Sequence, residues 1–151
     1  MNKEKQILVA EDSDLQREIC IHQLKELGFE NIFGATDGLE AYAFLESNPV
    51  DLIISDLEMP NMDGLDLLKK VKSDPQLKKI PFLLLSVYED KESNAKFIEM
   101  GAFDYLTKPA TPDVLAEKLE YIFSNKRKES DRRQDERRAG NRRKEENKRR
   151  G

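Results

Sequence analysis

Five short apolar segments, each followed by a stretch with helical periodicity, constrain the fold of this chain more than any other feature. The segment PFLLLS is apolar almost throughout, which is typical of a strand covered on both faces. Strands that alternate with helices predict a parallel sheet with helices on both sides. The fold class is therefore α/β, with a doubly wound five-stranded sheet. The predicted strands are 6–10, 31–35, 51–55, 81–86 and 102–107.

The segments between these strands carry signals for the starts and ends of helices. Ser13 and Thr111 can cap the first and last helices, and Asp37 and Asp63 the second and third. Gly28 and Gly101 stand where the first and fourth helices should stop. Apolar side chains near helical spacing predict the packed faces of the first two helices, which are Leu15, Ile19 and Leu27, then Leu39, Ala41, Tyr42 and Leu45. His22 falls near the same spacing in the first helix and is expected to be a helix-surface or packing residue.

Polar side chains stand at the ends of four predicted strands. Glu11 and Asp12 follow the first strand, and Asp56 follows the third. Ser86 ends the fourth strand, and Lys108 comes just after the fifth. In doubly wound sheets, functional groups collect outside the carboxyl ends of the strands. We therefore expect three carboxylates, a hydroxyl and an ammonium group at one edge of the sheet.

This set of groups suits metal-assisted phosphoryl chemistry. Neighbouring carboxylates raise one another's pKa unless a cation neutralises them. Their oxygens suit Mg²⁺, which leaves room for a phosphate group. Asp56 is the best candidate nucleophile toward phosphorus, because it leaves the central strand with candidate ligands on both sides. Lys108 and Ser86 would then contact the phosphoryl oxygens.

Each residue also has a structural alternative when it is taken alone. Glu11 and Asp12 could cap the first helix, and Asp56 could be a solvated loop acid. Ser86 could be a structural hydroxyl, and Lys108 a surface lysine. Their common placement at strand ends favours the functional interpretation, because independent accidents would seldom produce it.

Four segments around these residues closely resemble the motif regions of the receiver domain of two-component response regulators. They are ILVAEDS, LIISDLEMPNMDG, LLLSVYED and GAFDYLTKP, and they occur in the family's order at fitting intervals. The resemblance covers about residues 5–124 and is strongest to single-domain, chemotaxis-like receivers. It implies a flavodoxin-like (βα)5 fold with strand order 2-1-3-4-5.

The resemblance also implies how the site works. Asp56 would accept a phosphoryl group from a phosphohistidine on a histidine kinase or a histidine phosphotransfer protein. Glu11, Asp12, Asp56 and the backbone carbonyl of Glu58 would hold Mg²⁺. Such a protein catalyses only its own phosphorylation and dephosphorylation, so we do not expect a metabolic enzyme.

Further residues take regulatory roles by the same resemblance. Ser86 and Tyr105 would be the switch residues, and the Lys108–Pro109 peptide bond would be cis. The switch would change the surface of the fourth helix, fifth strand and fifth helix, where a downstream protein binds. Glu58 and Val87 lie at positions that tune the phosphoryl lifetime, and valine should hinder the attacking water more than alanine or glycine would.

The last 27 residues differ in composition from the rest of the chain. Residues 125–151 hold 13 Lys/Arg and 6 Asp/Glu, with no aromatic residue and no aliphatic one larger than alanine. They cannot build a core. We expect residues 1–124 to form the receiver domain and 125–151 a charged tail, disordered or continuing the last helix. Nucleic acid and the acidic body of the chain are alternative partners for its arginines.

The favoured hypothesis is a stand-alone receiver in a phosphorelay. The alternatives are a receiver whose tail binds nucleic acid as a minimal output, and an intermediate phosphotransfer protein. No apolar run approaches the roughly 20 residues that span a bilayer, and the first residues lack the pattern of a signal peptide. Cys20 has no second cysteine to pair with. We therefore expect a cytoplasmic protein with no membrane insertion.

Overall fold

Strands and helices alternate along residues 3–124, the part of the chain that the computed structural model describes. The predicted tail, 125–151, lies outside the described residues. The strands are β1 (Gln6–Ala10), β2 (Asn31–Ala35), β3 (Leu52–Asp56), β4 (Phe82–Ser86) and β5 (Asp104–Thr107). The helices are α1 (Asp14–Glu26), α2 (Gly38–Ser47), α3 (Gly64–Lys72), α4 (Lys91–Glu99) and α5 (Pro112–Phe123).

The chain divides into two compact units. The first, Asn2–Leu115, holds the whole sheet and α1 to α4, and the second contains α5 from residue 116 onward. The site described below lies entirely within the first unit. No helix in the described part of the chain is both long and apolar enough to cross a membrane.

The sheet has the strand order β2-β1-β3-β4-β5, and every neighbouring pair is parallel. This confirms the α/β fold, the strand order and the alternation of five strands with five helices. β3 lies in the centre, where Ser55 pairs with Ala10 of β1 and Asp56 pairs with Leu85 of β4. Because all strands run the same way, their carboxyl ends form one edge.

The two strands at the centre of the sheet are buried on both faces. All five residues of β3 and all five of β4 are buried. On one face, α3 contributes Leu67, Leu68 and Val71, none of which is exposed to solvent. Burying side chains of this size contributes about 1.5–3 kcal/mol each. The core therefore fixes the ends of β3 and β4 rigidly.

The predicted helix caps are present. Ser13, Asp37 and Asp63 each accept a hydrogen bond from the backbone N–H three residues later. Gly28 and Gly101, which follow the C-caps of α1 and α4, have φ of +102° and +117°. Such left-handed conformations are easy only for glycine, so these two residues end their helices as the sequence predicts.

The predicted packed face of α1 is wrong. Leu15 and Ile19 are 70% and 48% exposed, whereas Cys20 and Leu24 are buried. At about 100° per residue, these two pairs lie on opposite sides of the helix. The buried side also carries Arg17, whose Nη1 donates to the backbone carbonyl of Glu11 at 2.8 Å. Leu15 and Ile19 therefore lie on the side of α1 that faces solvent.

Other departures from the predicted elements are small. Leu39 of α2 is 52% exposed, while Ala41 and Leu45 of that helix are buried as predicted. β5 begins at Asp104 instead of residue 102, because the backbone N–H of Ala102 still bonds to Phe97 at the end of α4. The expected surface placement of His22 is observed, since it lies on the exposed side of α1 with Nε2 3.6 Å from Glu26 Oε2.

Replacing Gly64 tests how tightly α3 is joined to the end of β3. A Cβ atom at Gly64 would fall on the backbone oxygen of Asp56. We expect Gly64→Ala to lower the free energy of unfolding by about 1–3 kcal/mol, because the backbone must shift. Urea denaturation measures this loss. The comparison is Gly34→Ala, whose Cβ would lie 3.1 Å from Arg17 Cδ, so that only side-chain atoms have to move and we expect a smaller loss. Equal stabilities of the two variants would contradict the prediction.

Candidate functional site

A cleft of about 550 Å³ opens at the carboxyl edge of the sheet. It is bordered by the segments that follow β1, β3, β4 and β5. The residues that line it are Glu11, Asp12, Ser13, Gln16, Asp56, Leu57, Glu58, Met59, Pro60, Val87 and Lys108.

Three carboxylates meet in this cleft. Glu11, Asp12 and Asp56 each offer an oxygen atom, and the three atoms lie within 4.8 Å of one another. The cluster forms because β1 and β3 are neighbours in register, so that their ends project side by side. Glu11 and Asp56 are only 2% and 7% exposed, whereas Asp12 is open to solvent.

Lys108 brings a positive charge to this cluster. Its Nζ lies 2.9 Å from Asp56 Oδ1 and 3.3 Å from Glu11 Oε1. The same Nζ donates to Gln16 Oε1 at 2.9 Å. Three acceptors therefore surround an ammonium group that has three N–H donors.

The pKa values of Glu11 and Lys108 are both raised, for different reasons. Burial raises the pKa of Glu11, and the charge of Asp56 adds to the rise, while the Ser13 N–H and Lys108 oppose it. Burial lowers the pKa of Lys108, but its hydrogen bond to Asp56 and the charges of Asp56 and Glu11 outweigh this, so that the net shift is upward. Lys108 is therefore held as a cation.

The side chain of Asp56 has one oxygen engaged and one open. Oδ1 accepts hydrogen bonds from Lys108 Nζ and from the backbone N–H of Leu57, both at 2.9 Å. Within the described residues, Oδ2 accepts none. Asp12 likewise has no hydrogen bond or ion pair within residues 3–124. These open oxygens can bind a further group in the cleft.

The other predicted site residues are distributed around this centre. Glu58 and Val87 are exposed and line the cleft. Ser86 is fully buried at the end of β4, and its Oγ accepts a hydrogen bond from the Tyr88 N–H at 3.0 Å. Tyr105 is half-buried and packs against the core. The structure thus brings six of the eight predicted residues to the cleft and places Ser86 and Tyr105 outside its lining.

The loop between β3 and α3, residues 57–63, is held at several points. Asn61 has φ of +68°, and its Nδ2 donates to Asp37 Oδ2 at 2.6 Å. Gly38 N donates to the Met62 carbonyl at 2.9 Å, and Gly64 N donates to the Leu57 carbonyl at 2.8 Å. The hydrogen bonds of Asp37 to the N–H of Glu40 and to Asn61 hold the pKa of its carboxyl below the usual value. This loop carries Glu58 into the cleft.

Sequence reasoning missed Gln16 and the contact between Asp37 and Asn61. For Gln16 a signal was present, because Ser13-Asp14-Leu15-Gln16 matches the capping-box pattern and so places Gln16 in the first turn of α1. That turn lies directly above the strand ends. For Asp37 and Asn61, 24 positions apart, no local pattern connects the two residues. The Lys108–Pro109 bond is cis, as the resemblance implies.

Comparison with known proteins identifies the class to which this fold and cleft belong. Residues 7–120 match the response regulator receiver domain. This chain therefore belongs to the response regulator receiver family, a class of two-component signalling proteins, and the resemblance drawn from its motifs is confirmed.

Two proteins similar in sequence to this chain are chemotaxis proteins. The chain is 37% identical over 123 residues to chemotaxis protein CheY-3 of Vibrio cholerae serotype O1, covering 82% of this chain and 95% of that protein. It is 39% identical over 117 residues to chemotaxis protein CheY1 of Helicobacter pylori, with 77% and 94% covered.

A solved structure of similar fold is the chemotaxis response regulator CheY4 of Vibrio cholerae. It has a TM-score of 0.74 at 32% identity, and the match covers 80% of this chain and 99% of that one. The receiver domain of a signal transduction histidine kinase from Syntrophus aciditrophicus has a TM-score of 0.73 at 39% identity, with 80% and 90% covered.

Removing the Lys108 ammonium group tests its role in stabilising the cluster. Lys108→Met leaves Glu11 and Asp56 facing each other without their cation. We expect the free energy of unfolding to fall by about 1–2 kcal/mol. This is less than the loss on breaking a fully buried ion pair, because water can enter the cleft and solvate the two carboxylates.

Urea denaturation at neutral pH, with divalent cations chelated, measures this loss. Lys91→Met removes an exposed lysine outside the cleft and is the matched control. A Lys108→Met protein as stable as this control would show that the ammonium group does not stabilise the carboxylates.

Proposed function

We propose that this chain is a stand-alone response regulator that accepts a phosphoryl group on Asp56. The donor is a phosphohistidine on a histidine kinase or a histidine phosphotransfer protein. The observation that carries the proposal is the environment of Asp56, which is buried at the tip of the central strand, 2.9 Å from the Lys108 ammonium group, and open to the cleft at Oδ2. Membership of the receiver family supports the same conclusion.

The transfer exchanges one bond to phosphorus for another. A carboxylate oxygen of Asp56 attacks the phosphorus atom while the bond from phosphorus to the histidine nitrogen breaks. The electron pair of that bond stays on the imidazole ring, which takes up a proton. The product is an acyl phosphate on Asp56, and the added charge and acceptor oxygens give it strong new partners.

The donor chemistry of the cleft fits Mg²⁺. Glu11, Asp12 and Asp56 offer three carboxylate oxygens close together, and hard oxygen donors are the ligands that Mg²⁺ prefers. The backbone carbonyl of Glu58 is the proposed fourth protein ligand. When bound, Mg²⁺ neutralises the charge that collects on the carboxylates and the phosphoryl oxygens. The proposed part of Lys108 is to hold one phosphoryl oxygen.

Ser86 and Tyr105 are the proposed switch. In the described structure the Ser86 hydroxyl is bonded to the Tyr88 N–H in the segment that leads into α4. If Ser86 turns toward a phosphoryl oxygen, this hydrogen bond breaks and the segment is released. Tyr105, on the neighbouring strand, then moves into the space that Ser86 leaves.

The proposed readout of this switch is binding of a downstream protein to the surface of α4 and β5. Tyr88, just before α4, is 44% exposed, and Ile98, on α4, is 42% exposed. The surface therefore already offers apolar contacts. A ligand shifts such an equilibrium only by its difference in affinity for the two states. The partner is therefore expected to bind the phosphorylated form more tightly.

Intact mass spectrometry tests the phosphoacceptor directly. We expect wild-type protein, incubated with acetyl phosphate and Mg²⁺, to gain the mass of one phosphoryl group. Asp56→Asn should gain none, because the amide is not nucleophilic, and chelation of Mg²⁺ should suppress the wild-type adduct. Asp66→Asn, an exposed acid in the first turn of α3, is the matched control and should react normally. A phosphoryl group on Asp56→Asn would refute the assignment.

The proposed tuning role of Val87 predicts a change in the lifetime of the acyl phosphate. Val87 lines the cleft and is 60% exposed, so its two methyl groups hinder water near Asp56. We expect Val87→Ala to speed dephosphorylation several-fold, measured as loss of the adduct after removal of the donor. Val114→Ala, an exposed valine that does not line the cleft, should decay like wild type. An unchanged rate in Val87→Ala would remove Val87 from the mechanism.

A further inference from the structure

We infer that Gln16 is a positioning residue that holds Lys108 at the cleft in the orientation that receives the phosphoryl group. This inference rests on the proposed function and adds to it a residue on α1. Its basis is the 2.9 Å hydrogen bond from Lys108 Nζ to Gln16 Oε1, between residues 92 positions apart. Gln16 also lines the cleft.

The first turn of α1 is built so that the Gln16 side chain is available for this bond. In a capping box, the Gln side chain would reach back to the backbone N–H of the cap residue, here Ser13. That N–H instead donates to Glu11 Oε2 at 3.1 Å. The other half of the box is kept, since Gln16 N donates to Ser13 Oγ at 3.2 Å. Glu11 has therefore taken the usual place of the Gln16 carboxamide.

Gln16 differs from the other two partners of Lys108 in a way that matters for the reaction. Glu11 and Asp56 belong to the carboxylate cluster proposed to hold Mg²⁺, and Asp56 also becomes phosphorylated. Their oxygens are thus also needed to bind Mg²⁺ and, at Asp56, to form the bond to phosphorus. Gln16 is neutral and outside the cluster, so its bond to Lys108 competes with neither role.

Holding Lys108 matters because a lysine side chain is long and flexible. Its ammonium group loses conformational freedom whenever it contacts a ligand. Lys108 is still 21% exposed, so the walls of the cleft do not enclose it. Gln16, although exposed on α1, offers a neutral acceptor that restricts the ammonium group before the phosphoryl group arrives. Gln16 thus pre-organises Lys108. Loss of the Gln16 carboxamide should therefore slow phosphorylation only in a protein that retains Lys108.

Gln16→Met tests this inference, because methionine has a similar length and shape but no carboxamide. We expect phosphorylation by acetyl phosphate, followed by intact mass, to slow about three- to tenfold, which is the effect of one hydrogen bond of ordinary strength. In a Lys108→Ala background, Gln16→Met should cause no further change. Gln76→Met makes the same chemical change at an exposed glutamine outside the cleft and should react like wild type.

A second readout does not depend on phosphorylation. Side-chain NMR relaxation of the Lys108 Cε methylene should show an ordered group in wild-type protein. In Gln16→Met the group should move toward the mobility of an exposed lysine such as Lys91.

The outcomes separate the inference from the proposed function. If wild type forms no acyl phosphate, the proposed function fails, while the relaxation data still decide whether Gln16 orders Lys108. If wild type reacts and Gln16→Met matches it in rate and in Lys108 mobility, Gln16 is not a positioning residue. An equal slowing in both Lys108 backgrounds would also overturn the inference, because the effect would not pass through Lys108.

Discussion

The ion pair between Lys108 and the carboxylates at the strand ends is the interaction on which the rest of the site depends. Burying Glu11 and Asp56 beside each other is costly, because each loses water and each repels the other. A cation 2.9 Å from Asp56 offsets this cost and allows the two acids to lie side by side. The stability of the cluster and the proposed phosphoryl transfer thus depend on the same three side chains, so that changes to one are expected to affect both.

The strand order explains how the cation reaches its partners. β5 is not a neighbour of β3, because β4 lies between them. Strands in a sheet are about 4.8 Å apart, so the side chain of Lys108 has to extend across the end of β4 to meet Asp56. The residue that ends β4 is Ser86, which is small and fully buried. The place of each polar group therefore follows from the topology, and a different strand order would separate them.

The sequence was sufficient for the sheet, the caps and the three acids, because strand ends and cap residues are local patterns. It was not sufficient for the face of α1. Leu15 and Ile19 satisfy helical spacing, but Cys20 and Leu24 are the side chains of α1 that are buried. The capping-box pattern places Gln16 in the first turn of α1, but its bond to Lys108, 92 residues away, could not be read from that pattern. Contacts between distant segments depend on the assembled sheet, and no periodicity in one segment encodes them.

The carboxylate of Asp37 has a mechanical consequence for the molecule. One oxygen caps α2 by accepting the Glu40 N–H, and the other holds Asn61 in the loop that carries Glu58. The start of α2 and the loop at the rim of the cleft are thereby joined through this side chain, in addition to the hydrogen bond from Gly38 N to the Met62 carbonyl. Replacing Asp37 would therefore remove a helix cap and a loop contact at once, whereas replacing Asn61 would remove the loop contact alone.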